Sequence, residues 1–269
     1  MLPTLVAVDG GRTIKGVALL GNLLYVLRHK SSEQIEVYDK DCYRLERCFT
    51  VQGLDYPADI AFCAHYRCGY ICDSANSCIH RLALPRADVT QWPVNEYPAS
   101  LSVTDKHSVL VTCCEARIIK EFTADGELIR ELQLPESVTS PEHTIRLSSG
   151  QFIVCHGGFG DPIHRVCLIG RDGQVVRSYG EPKGSGSQQM DSPTHLAVDR
   201  KGYVFVADLQ NCRVLLLSPS LAYIREIVSR DQLKGRPERL CLDDNKTCLY
   251  VAVGGRLVMV DLRNMCTLL

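Results

Sequence analysis

The chain has 269 residues, 45% hydrophobic and 23% charged, with 30 Lys+Arg against 31 Asp+Glu. A formal net charge of −1 excludes a broadly basic nucleic-acid binder, and the charges form neither an acidic tail nor a block. No apolar run approaches the roughly 18 residues of a membrane helix, so a soluble protein without membrane or DNA partners is expected.

The first segment, Met1 to Asp9, has no basic n-region and no long apolar core, and it is not read as a signal peptide. With fourteen cysteines and no secretion signal, reduced thiols and a cytoplasmic location are expected. Leu2 to Val8 reads instead as an isolated apolar strand.

From there the chain repeats. A Pro, a polar residue two positions on, and an apolar run recur at Pro57-Ala58-Asp59, Pro98-Ala99-Ser100, Pro141-Glu142-His143, Pro193-Thr194-His195 and Pro237-Glu238-Arg239. The prolines are 41, 43, 52 and 44 residues apart, and one period back from Pro57 lies Ile14-Lys15-Gly16, which fits without its Pro. The repeats so defined span approximately 14–55, 56–96, 97–139, 140–191, 192–235 and 236–269 with 1–13, a single domain over residues 1–269.

Each repeat carries a series of short strands. In the fifth they are His195 to Asp199, Tyr203 to Asp208, Arg213 to Leu217 and Tyr223 to Val228, separated by turn residues. Asp125-Gly126 and Asp172-Gly173 mark tight hairpins in the third and fourth repeats. No segment sustains a helical apolar period. The chemistry predicts an all-β fold, a six-bladed β-propeller of four-stranded antiparallel blades. The last repeat holds only three strands, Arg239 to Asp243, Leu249 to Val253 and Arg256 to Leu262, so Leu2 to Val8 is expected beside the third, closing the ring.

The fifth repeat also carries a family resemblance. Tyr179-Gly180-Glu181-Pro182, Ser192-Pro193-Thr194-His195-Leu196-Ala197-Val198-Asp199, Gly202-Tyr203-Val204-Phe205-Val206-Ala207-Asp208 and Asn211-Cys212-Arg213-Val214 resemble an NHL repeat, as does Gly69 to Asn76 more weakly. The resemblance implies a binding platform like the C-terminal propeller of TRIM-NHL ubiquitin ligases, which bind protein partners or structured RNA. The chain contains no RING, B-box or coiled-coil segment, so the expected role is non-catalytic recognition of a protein partner, with RNA as the alternative.

Propeller geometry gathers Gly16, Asp59, Ser100, His143, His195 and Arg239 at one rim with the loops after the second strands. Arg28, Asp59, Ser100, His143, His156, His195 and Arg239 are the expected partner-binding residues. Asp73 and Asp208 read as loop-fixing residues, with Arg213 beside the latter. The alternative from another class is a metal-dependent lyase or lactonase-like hydrolase at the channel, using His143, His156, His164 and His195 with Asp161 nearby. The ligand position of the amidating-lyase pattern is filled here by Ala58, Ala99, Glu142, Thr194 and Glu238, and Arg239 adds a cation that opposes a metal.

Cys63, Cys68, Cys72 and Cys78 have zinc-like spacing, but strand register separates them to two ends of one sheet, which favours their reading as small buried hydrophobes. There is no nucleophile elbow, phosphate loop or HExxH helix, and no cofactor is expected.

Overall fold

The computed structural model describes residues 4–8, 12–29, 34–186 and 188–263. It begins with β1 (Thr4–Val8), followed by blade one: β2 (Ile14–Leu20), β3 (Leu23–Arg28), β4 (Gln34–Asp39) and β5 (Leu45–Thr50). Blade two is β6 (Pro57–Cys63), β7 (Cys68–Asp73), β8 (Cys78–Ala83) and β9 (Asp88–Pro93). Blade three is β10 (Pro98–Val103), β11 (Val109–Cys113), β12 (Ile118–Phe122) and β13 (Leu128–Gln133). Blade four is β14 (Pro141–Arg146), β15 (Phe152–His156), β16 (Arg165–Ile169) and β17 (Val175–Tyr179). Blade five is β18 (Pro193–Val198), β19 (Val204–Asp208), β20 (Arg213–Leu217) and β21 (Tyr223–Val228), and blade six opens with β22 (Pro237–Asp243), β23 (Cys248–Val253) and β24 (Arg256–Asp261).

Five sheets pair in chain order, and the sixth runs β1-β24-β23-β22. Thr4 stands opposite Met259 and Val8 opposite Arg256, so the ring is closed by the first strand, as its apolar sequence predicts. Leu2 and Pro3, the other end of that expected strand, lie outside the described residues.

Burial follows position within the blade. β7, β11, β15, β19 and β23 are buried at every residue, whereas β5 and β13 are mostly exposed. Second strands are covered on both faces by neighbouring blades, which is why they read as near-continuous apolar runs rather than alternating ones. The core lies between blades: Phe205 and Ala207 of blade five pack with Leu240, Leu249 and Val251 of blade six, and Ile14 and Leu24 of blade one pack with Tyr250.

One element departs from the sequence reading. α1 (Arg230–Leu233) is a single helical turn between blades five and six, with a capping box formed by Ser229 and Gln232. A single turn is too short to produce the periodicity by which helices are read.

Candidate functional site at the central channel

Every inner strand shifts register near its start: between Ile14 and Gly16, Pro57 and Asp59, Pro98 and Ser100, Pro141 and His143, Pro193 and His195, and Pro237 and Arg239. A bulge of this kind re-aims the residue that follows it. It brings the side chains of Asp59, His143, His195 and Arg239 together across the channel instead of leaving them on an open rim.

Blade one contributes no side chain because none fits. A Cβ on Gly16 would lie 2.6 Å from Ile60 Cγ2 and 2.7 Å from the Ile60 nitrogen. Asp59 of blade two reaches inward instead, accepting hydrogen bonds from the Ile60 N–H at 2.9 Å and the Leu101 N–H at 3.2 Å.

The carboxylate faces two cationic or potentially cationic groups, with Arg239 Nε 3.7 Å from Oδ1 and His195 Nε2 3.5 Å from Oδ2. Arg239 is anchored across the channel by donating to the Ala58 carbonyl at 2.7 Å, and to its neighbour Glu238 at 2.8 Å. His195 Nδ1 accepts the Leu240 N–H at 3.3 Å, which leaves Nε2 as the protonated nitrogen facing Asp59. Its ring stacks on His143, with centroids 3.8 Å apart and 25° between planes.

Electrostatics at the ring follow from burial and from this charge pairing. Burial alone would raise the Asp59 carboxyl, but His195, Arg239 and His143 hold it below its ordinary range. Burial pushes both imidazoles down, His143 well below the usual value because the neighbouring His195 adds to the effect. His143 is therefore a neutral imidazole in the neutral pH range. Its Nδ1, the Ser100 hydroxyl and Arg239 Nε are buried without a well-formed hydrogen bond, although the Leu101 backbone lies beside the His143 ring.

Beside the ring lies a cavity of about 260 Å³. His143, His195 and Ser102 are its polar side chains, and Leu19, Phe62, Val103 and Leu242 are among its apolar lining. On the other side of the ring Lys15 pairs with Glu238 at 3.6 Å, and burial, with Asp161 nearby, raises the carboxyl of Glu142.

These positions correct the expected rim. Asp59, Ser100, His143 and His195 are between 1% and 7% exposed and face one another, so they do not present an outer surface. Arg28 is also buried: it pairs with Glu36 at 2.9 Å and donates to the carbonyls of Arg12 and Gly255. His156 is buried with neither ring nitrogen in a well-formed hydrogen bond. Both nitrogens of His164 are engaged, Nδ1 by the Ser192 N–H and Nε2 by the Asp161 carbonyl.

Among the described residues, the expected metal set therefore divides. His143 and His195 come together with Asp59, whose ligand atoms lie within 4.8 Å of theirs, while His156 and His164 join no such group. This trio has the donor types for a divalent cation, but Arg239 already supplies positive charge to its carboxylate.

No family model matches the chain. No curated protein matches it either. Solved structures do. A streptogramin B lyase is 13% identical, with 95% of each chain covered and a TM-score of 0.68. A catalytically inactive variant of virginiamycin B lyase from Staphylococcus aureus, with quinupristin, is 11% identical, with 96% of this chain and 98% of that chain covered and a TM-score of 0.69. Hydrazine synthase of Kuenenia stuttgartiensis is 12% identical, with 95% and 97% covered and a TM-score of 0.68.

At these identities the likeness establishes the six-bladed propeller fold alone. It nevertheless corrects the expectation of a non-catalytic protein. That expectation rested on recognition propellers, whereas these similar structures are enzymes.

Proposed function

We propose that the protein works at its central channel. There it binds a small molecule with an apolar body and a hydroxyl or acidic C–H group, and His143 takes the proton from that group. The observation that carries this reading is the neutral imidazole of His143, which with His195 and Ser102 supplies the polar side chains of a largely apolar cavity. His195, held by Asp59 and Leu240, fixes the face of the His143 ring, and Arg239 balances the Asp59 charge. Proton transfer of this kind is used by lyases and hydrolases, and two of the similar structures are lyases by name.

A second reading is favoured by Phe159, which is 91% exposed on the loop joining β15 to β16. An aromatic side chain projecting from a rigid scaffold suits recognition of a protein segment. The resemblance of Tyr179 to Val214 to an NHL repeat supports the same role.

One capture experiment separates the two. The full chain is incubated with a small-molecule extract and, separately, with protein and RNA from the same cells, beside Leu196→Trp, which fills the cavity, and Phe159→Ser. A small molecule retained by wild type and lost only in Leu196→Trp supports the channel reading. A protein lost only in Phe159→Ser supports the second reading, and RNA released by moderate salt contradicts both.

A further inference from the structure

Blades one, two and five each place a charged side chain at the end of the second strand, and the three balance it differently. In blade five, Asp208 is fully buried and accepts from the Asp191 N–H, Asn211 Nδ2 and Arg213 Nε at 2.7, 2.9 and 2.8 Å. Arg213 stands directly opposite Asp208 on β20, so its guanidinium supplies a permanent positive charge. In blade one the signs are reversed: Arg28 is balanced by Glu36 from the third position of β4.

Blade two repeats the amide half of the blade-five arrangement. Asp73 is also fully buried and accepts from the Asp55 N–H at 3.0 Å, the Tyr56 N–H at 3.2 Å and Asn76 Nδ2 at 2.9 Å. The cationic half is different. Opposite Asp73 stands Cys78, and at the third position of β8 stands His80. No arginine or lysine pairs with Asp73 among the described residues. A buried carboxylate without a full countercharge is costly.

What faces Asp73 is a set of metal-ligand atoms. His80 Nε2 lies 3.3 Å from Asp73 Oδ2 and 3.4 Å from Cys78 Sγ, and all three atoms fall within 4.8 Å of one another. Zinc bonds of about 2.0–2.3 Å in a tetrahedron place neighbouring ligand atoms about 3.3–3.7 Å apart. The nitrogen–oxygen and nitrogen–sulfur edges of this group already have roughly that length. Cys78 and His80 are two apart on one strand, which puts both side chains on the same face.

We propose that blade two binds one zinc ion through Asp73 Oδ2, Cys78 Sγ and His80 Nε2. The metal stands in the role that the Arg213 guanidinium fills in blade five. Binding converts the Cys78 thiol to a zinc thiolate and releases its proton to solvent. His80 coordinates as a neutral imidazole with its proton on Nδ1. The cysteine spacing that suggested zinc in the sequence contributes one ligand only, since Cys63 and Cys68 pair at the far end of the sheet.

The test uses the full chain, freed of metal and titrated with Zn²⁺ or with Co²⁺ as a spectroscopic probe. One equivalent is expected to bind, with thiolate-to-cobalt absorption, and Zn²⁺ is expected to raise the melting temperature. Cys78→Ser and His80→Gln are each expected to weaken binding by about tenfold or more, while Cys241→Ser in blade six leaves it unchanged. Proton release on adding zinc to the wild type at constant pH provides a readout should either variant fail to fold. Absence of bound metal, or equal metal binding by wild type, Cys78→Ser and His80→Gln, would overturn the proposal.

Discussion

His143 and His195 come from adjacent blades, yet their rings stack 3.8 Å apart at the centre of the propeller, and only one of them is fully held by protein groups. His195 is fixed through both nitrogens, by Asp59 and by the Leu240 N–H, whereas the buried Nδ1 of His143 makes no well-formed hydrogen bond. The difference follows from position: Asp59 and Arg239, which carry the charges of the ring, lie beside His195.

The Asp59 carboxylate is therefore the group on which the ring depends. Asp59→Asn keeps the shape but leaves Arg239 buried without its anionic partner. A loss of about 3–5 kcal/mol is expected, as for breaking other buried charge pairs. Urea unfolding of the two proteins measures it, and a loss under about 1 kcal/mol would show that the pairing is of little consequence.

Stability should fall on mild acidification. Burial pushes His156 down to about 4, against an unfolded value of about 6.5. As pH drops, the unfolded chain takes up the proton first, so this contribution is complete above about pH 6.5 and is lost towards pH 4. For His156 alone it amounts to about 3 kcal/mol, and His143 and His195, also pushed down, steepen the same slope. Urea midpoints between pH 7 and pH 4.5 should show the decline, and His156→Leu should flatten it. An unchanged slope in that variant would contradict the assignment.

Gly16 is the ring position where a side chain is excluded by contact. Gly16→Ala drives a methyl group into the Ile60 backbone, and overpacking of this kind costs about 1–3 kcal/mol. A melting temperature equal to that of the wild type would show that blades one and two can separate freely at the channel.

Removing residues 1–9 should destabilise the whole ring, because β1 pairs along the outer edge of β24. Loss of the cooperative melt, or association of the truncated chain, is expected by calorimetry and size-exclusion chromatography. Unchanged melting would mean that the closing strand adds little.

The propeller could be read from sequence because its signals are periodic. Proline recurs near every 45 residues, second strands are apolar for most of their length, and the sixth repeat is one strand short. Asp59, Ser100, His143, His195 and Arg239 were likewise legible as equivalent positions. Their inward direction was not read, although five of the six register shifts begin at the recurring proline, a residue confined within sheets to edges, strand starts and bulges. His80 was hidden for another reason: Cys78-Ile79-His80 looks like an ordinary core strand until Asp73 is placed opposite Cys78. Alignment of the third strands would have exposed it, because blade five has Leu215 at the equivalent position.

The most direct test of the channel as the working site is to measure the imidazole ¹⁵N shifts of His143 in the full chain near pH 7, alone and with the small molecule retained from extract. The account predicts a neutral ring in the free protein, and a shift of its ring nitrogens on binding that is absent in Leu196→Trp. A His143 that is protonated, or one that does not respond to the bound molecule, would contradict it.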